Sequence, residues 1–241
     1  MNKYLYCVIK GKVPKNKFRI KGLEGKEVRI INNGAISCAV SDTSQLKYPL
    51  WREHILAHQW PLEEFMEHYD ILPFSFSNIA NSEKQIKQKV LKEMGEELEG
   101  LFQIFKGRTE LGLKAVWPDV SLVFQEIAQN SPEIQRLKRI SKLSHKQQMA
   151  AGELVKKLLE EKKEKTKRKI LEFFKSLVED SKELQLLGDN MVLNAAFLIK
   201  KRGEKDFYKK VAELVQEFPN ISFRYSGPFP LNNFVNLKFS I

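Results

Sequence analysis

The chain has 241 residues, 42% of them hydrophobic, including 16 phenylalanines. That is enough to bury one large core or two modest ones, which excludes a mainly disordered protein. The net charge of +11, from 41 Lys+Arg against 30 Asp+Glu, suits nucleic acid, an acidic protein surface or an acidic lipid face.

No apolar run approaches the roughly 18–20 residues needed to cross a bilayer. A strand-like start without a signal-peptide layout reads as a soluble, cytoplasmic chain. Lys3–Ile9 is the first predicted strand. Lys26–Ile31 and Ala35–Val40 flank Asn32-Asn33-Gly34, a hairpin turn. A helix is expected from about Leu50 to His68, with Ile55, Leu62, Phe65 and Met66 at helical spacing and Pro61 set to kink or interrupt it. Ile71–Phe76 reads as a short strand. Ser82-Glu83-Lys84-Gln85 is a capping box opening a helix whose stripe runs from Ile86 through Val90, Leu91, Leu98 and Phe102 to Phe105. The order is β-β-β-α-β-α, and Lys106-Gly107 marks the boundary of a first domain, 1–107.

The second domain, 108–241, opens on a strand in which Leu111, Leu113, Ala115 and Trp117 alternate. Asp119 caps a helix through Ala128, Ser131-Pro132-Glu133 starts another, and Ser144-His145-Lys146-Gln147 restarts the helical region, which runs to about Val178. Leu184–Leu187 is a short strand, Gly188-Asp189-Asn190 a turn, Met191–Ile199 a strand, Glu204–Phe218 a helix and Ile221–Tyr225 a last strand. This β-α-β-β-α-β order is the split βαβ of a ferredoxin-like sandwich with an enlarged first helical layer, giving an α+β protein. Glu160–Lys169 contains no apolar residue, so the helical arm, about 133–180, is expected to project, packed at both ends and wet in the middle. Gly227-Pro228-Phe229-Pro230 is expected to leave the last strand rigidly, because proline donates no hydrogen bond. Alternation then resumes over Val235–Ile241, as a strand that completes a sheet of this chain or pairs with another chain, the first being the simpler reading.

Reactive groupings are scarce. No phosphate-binding glycine loop or nucleophile elbow is present. Cys7 and Cys38 fit no zinc or redox spacing and read as reduced core residues. His54 and His58 have i, i+4 metal-ligand spacing, but Ile55 stands where a metalloprotease glutamate would be, so a chance pair is the better reading. Glu96, Glu97 and Glu99 read as a solvated helix face, and Glu110 and Lys114 share one face of a strand as a candidate ion pair. From Arg136 to Lys182 there are 15 Lys+Arg against 7 Asp+Glu, so the arm is the place where nucleic acid would bind. Glutamates interleave with those lysines at i, i+4 spacing and aromatics do not, which favours a solvated or protein-docking helix.

The sequence resembles the GvpF/GvpL family of gas vesicle proteins in ordered segments. These are Tyr4-Leu5-Tyr6, Gly22-Leu23-Glu24-Gly25, His58, Leu72-Pro73-Phe74-Ser75-Phe76-Ser77, Gly107–Lys114, Gly152-Glu153-Leu154-Val155, Asn194–Ile199, and the tail from Gly227 to Phe234. Ser75 and Ser77 replace the family's arginine and glycine, Phe229 its tryptophan and Asn232 a second aromatic. The last two segments are more similar to the GvpF branch. The resemblance implies a non-enzymatic, cofactor-free accessory or minor structural protein that binds the gas vesicle shell protein and other accessory proteins, located in the cytoplasm and at the vesicle. It implies Leu72, Pro73, Phe74, Phe76, Glu110, Gly227, Pro228, Phe229, Pro230 and Phe234 as candidate interaction positions.

Overall fold

The computed structural model describes residues 1–14, 18–140 and 144–239. Contacts divide the chain into two compact units, Met1–Glu110 together with Pro228–Ile241, and Leu111–Gly227. The division read from sequence kept the tail with the second domain, whereas its contacts lie in the first unit.

In the first unit, β1 (Asn2–Lys10), β2 (Arg29–Asn33), β3 (Ile36–Thr43) and β4 (Ile71–Pro73) form an antiparallel sheet in the order β2-β3-β1-β4. The short β5 (Ile79–Ala80) also pairs with β1. β1 is central and buried from Tyr4 to Ile9, which is why that run is almost uninterruptedly apolar. A bulge falls at Tyr6: Leu5 faces Val40 and Cys7 faces Ala39. Helix α1 (Arg52–Met66) runs through Pro61 instead of breaking there. Burial of His58, Pro61, Leu62 and Phe65 on one side of it offsets the cost of an interior proline, roughly 3 kcal/mol. The expected strand Ile71–Phe76 stops at Pro73, beyond which the chain turns toward β5. Ser82 caps α2 (Glu83–Gln85), which widens into a π-helical stretch over Ile86–Glu93 before α3 (Gly95–Phe105). The wider turn puts Ile86, Val90 and Leu91 on one buried face.

The second unit contains α4 (Val120–Asn130), α5 (Pro132–Lys138), α6 (His145–Phe174) and α7 (Glu204–Glu217). Its sheet uses β6 (Arg108–Val116), β7 (Asp180–Glu183), β8 (Met191–Lys200) and β9 (Ser222–Phe229), in the order β7-β8-β6-β9. That is the second, third, first and fourth strand in chain order, the split βαβ arrangement. Asp119, Ser131 and Ser144 cap their helices as expected, Ser144 in a reciprocal capping box with Gln147. Phe174, Phe197 and Phe207 meet at the core, the first and last stacked at 4.5 Å.

Three expectations change here. β7 lies on the exposed Asp180–Glu183, not on Leu184–Leu187, because pairing with Ala195–Leu198 sets its position. β9 continues through Gly227, Pro228 and Phe229 instead of ending before them. It is an edge strand, where proline's missing donor need not be paired. Gly227 has φ +116, a conformation that glycine adopts without a steric penalty. The arm is not packed at both ends and wet between. The helix is exposed over 145–150, while Leu159, Lys163, Ile170 and Phe174 are buried. Lys163 fills the charged middle with its aliphatic stem while its ammonium bonds Glu160 at 3.3 Å.

If Lys163 serves chiefly through its stem, Lys163→Met will unfold at an equal or higher urea concentration than the parent chain. Lys163→Glu will lower the midpoint by the equivalent of about 2 kcal/mol or more, since it buries a charge without a long stem.

Candidate functional site

The separated family-like segments of the first unit meet at two adjacent hydroxyls. Tyr4 and Tyr6 are fully buried, with ring centroids 4.9 Å apart. The backbone N–H of Ser77 donates to the Tyr4 hydroxyl at 2.9 Å, and that hydroxyl lies 3.0 Å from His58 Nδ1. The His58 ring also donates to the backbone carbonyl of Phe74. A neutral imidazole satisfies both contacts, with Nδ1 accepting from Tyr4 and the other nitrogen carrying the proton. The Tyr6 hydroxyl accepts the Leu23 N–H at 2.9 Å and shares a hydrogen bond with Ser41 at 2.9 Å. A Cβ at Gly22 would sit 1.9 Å from that hydroxyl, so the close approach requires glycine.

Ser77 explains one departure from the family pattern. Its φ is +66, where the family's glycine would sit unstrained and an L side chain costs roughly 1–2 kcal/mol. The serine recovers part of that cost, because its Oγ accepts the Tyr48 N–H at 2.9 Å.

The candidate interaction positions are mostly internal. Leu72 and Pro73 pair with Val8 and Cys7, and Phe74 is 1% exposed. Phe76 is half-buried, with its ring 5.7 Å from that of His58. Leu237 forms a parallel bridge with Phe74, and its carbonyl accepts the Ser75 N–H at 3.0 Å. The terminal strand expected over Val235–Ile241 is therefore a bridge within the chain; Ser240 and Ile241 lie outside the described residues. Phe229 is half-buried, and its carbonyl accepts the Thr109 hydroxyl at 3.2 Å. Pro228 is exposed, Pro230 buried, and Gly227 and Phe234 half-buried.

Glu110 holds the tail. It is 4% exposed, and its two carboxylate oxygens accept the backbone N–H of Asn233 at 2.8 Å and its side-chain amide at 2.6 Å. The sequence expected Lys114 as its partner, but residues four apart along a strand are separated by roughly 13 Å. Asn233 and Asn78 carry functions that the sequence reading missed. Asn78 accepts the Phe239 N–H at 2.6 Å and donates to the Ser75 carbonyl at 2.6 Å. The asparagines that break up the alternation near the tail were the available clue to the first of them.

The ionisable groups of this constellation are held in the interior of the first unit. Burial pushes the phenols of Tyr4 and Tyr6 and the thiols of Cys7 and Cys38 upward, keeping them protonated. His54 bonds the Pro49 carbonyl and stacks on Trp51, so the i, i+4 histidine pair is divided between surface and core. Among the described residues, no group of three or more His, Cys, Asp and Glu side chains could hold a metal ion.

Two measurements probe the cluster. Burial holds His58 down to about 4 from an ordinary value of 6.5. Below pH 6.5 the unfolded chain takes up a proton that the folded chain refuses until about pH 4, so stability falls across this window as pH falls. The full loss is on the order of 3 kcal/mol, read as the difference in urea unfolding between the parent chain and His58→Gln. Glu110→Gln, which leaves an amide facing two donors, is expected to cost about 1–3 kcal/mol in the same assay at neutral pH.

The Gas vesicle synthesis protein GvpL/GvpF family model matches residues 2–236. Gas vesicle protein F of Nostoc sp. (strain PCC 7120) is 24% identical over 230 residues, covering 93% of each chain. Gas vesicle protein F1 of Halobacterium salinarum is 22% identical over 223 residues, covering 90% of this chain and 86% of that protein. The crystal structure of GvpF from Anabaena sp. PCC7120 superposes with a TM-score of 0.85 at 22% identity, covering 99% of both chains. That of GvpF from Microcystis aeruginosa gives 0.77 at 21% identity, covering 98% of this chain and 99% of that one. At these identities the structures establish the α+β fold alone. With the family model spanning nearly all of the sequence, the chain belongs to the gas vesicle synthesis protein GvpL/GvpF family and has a gas vesicle-related role.

Proposed function

We propose that this chain is a non-enzymatic accessory or minor structural protein of gas vesicles that binds the shell protein and supports assembly of the vesicle. The observation that carries this reading is the family match across residues 2–236. The interior of the first unit is consistent with it, because Tyr4, Tyr6 and His58 are engaged in hydrogen bonds with buried side chains and the backbone. A cytoplasmic location with recruitment to the vesicle follows from this reading, and no helix among the described residues is long and apolar enough to cross a membrane.

The nucleic-acid alternative rests on the basic arm, where part of the positive charge is paired with glutamates. Lys162 pairs with Glu126, Lys167 with Glu164 and Glu183, Arg168 with Glu164, and Lys157 with Glu161. Such pairs reduce the free charge available to phosphates.

Deleting the gene in a vesicle-forming host is expected to abolish or deform the vesicles, with restoration by the intact gene. The tagged chain is expected to retain purified shell protein in a pull-down. Normal vesicles in the deletion strain, together with no retention of shell protein, would refute the reading.

A further inference from the structure

Helix α1 is apolar on two sides. One side buries His58, Pro61, Leu62 and Phe65. On the other side and in its approach, Leu46, Leu50, Trp51, Leu56 and Trp60 are 56–75% exposed. Exposed tryptophans grouped with leucines mark a contact surface more often than scattered single residues do.

The charge around these side chains specifies the partner. On helical geometry, Leu56, Glu63 and Glu64 are the i−4, i+3 and i+4 neighbours of Trp60. Glu53 and Glu67 lie on the same side, so four glutamates stand against Arg52 and, in the approach, Lys47, on a chain whose net charge is +11. This acidic rim opposes an anionic lipid surface. The backbone of α1 is paired within the helix, so the face offers no edge to an added strand. The ridge from Leu56 to Trp60 has the i, i+4 form that fits the groove of another helix.

We propose that the outer face of α1 is a docking surface for an amphipathic partner helix with an apolar stripe flanked by lysine or arginine. The inference deepens the reading of the chain as a shell-protein binder by naming the surface and the chemistry of the bound segment.

Trp51 and Trp60 report occupancy directly, since Trp117 is 3% exposed and serves as a constant background. The full chain is titrated with an amphipathic leucine-stripe peptide bearing lysine flanks, and with the same peptide bearing glutamate flanks. A saturable blue shift of tryptophan emission is expected with the lysine peptide, with at least tenfold weaker binding of the glutamate peptide. Leu56→Glu combined with Trp60→Glu is expected to weaken lysine-peptide binding at least tenfold without changing the urea midpoint. Glu63→Lys with Glu64→Lys is expected to reverse the peptide preference. Equal binding of the two peptides, unchanged binding by the variants, or a matching shift with anionic vesicles would overturn the proposal. So would concentration-dependent self-association that the Leu56/Trp60 variant abolishes. Purified shell protein separates the two levels. If it binds the parent chain and the Leu56/Trp60 variant equally, this surface is wrong and the functional reading stands. If it binds neither while the peptides behave as expected, the surface stands and the functional reading falls.

Discussion

The first unit depends on two phenol hydroxyls buried on the central strand. Tyr4 and Tyr6 each accept a backbone N–H from a distant loop, Ser77 in one case and Leu23 in the other. Each also engages a buried side chain, His58 or Ser41. Left unpaired in an apolar core, each of these groups would cost a few kcal/mol, so the pairings constrain the surrounding segments strongly. The bulge at Tyr6 is the local deformation in the same strand. Helix α1, the Leu23 turn and the Phe74–Ser77 loop are thereby tied to a single point in the sheet.

That convergence gives a physical reading of the family-like segments. They are far apart in sequence and yet bond to one another in the interior. The tail extends the scheme. Glu110 fixes the turn at Asn233, Leu237 bonds beside Phe74, and Asn78 receives the Phe239 amide. Motif residues that look like contact points in a sequence are thus mostly occupied within the chain. A group of uncovered apolar side chains lies elsewhere, on the outer face of α1 and in its approach, where no family-like segment pointed.

What the sequence disclosed and what it withheld have separate physical causes. Caps at Ser82, Asp119, Ser131 and Ser144 were legible because a short polar side chain before a helix has one dominant use. The split βαβ order was legible because alternation and helical periodicity are local properties. β7 was misplaced because the leucines after it carry the stronger apolar pattern, while its position is set by a partner strand. The arm was misjudged because Lys163 contributes buried carbon under a charged name. The partner of Glu110 was hidden because it lies more than a hundred residues away, at Asn233, and no local spacing encodes such a pairing. The outer face of α1 was partly readable: Trp51, Leu56 and Trp60 fall off the buried stripe, but only the structure shows them uncovered.

If the tyrosine pair ties these segments together, its contacts must be energetically coupled. The direct measurement is a double-mutant cycle on unfolding free energy with Tyr4→Phe, His58→Ala and the two combined. A coupling energy of about 1 kcal/mol or more is expected, as for a buried hydrogen-bonded network. Additive effects, with coupling indistinguishable from zero, would contradict the view that the family-like segments are held together by these hydroxyls.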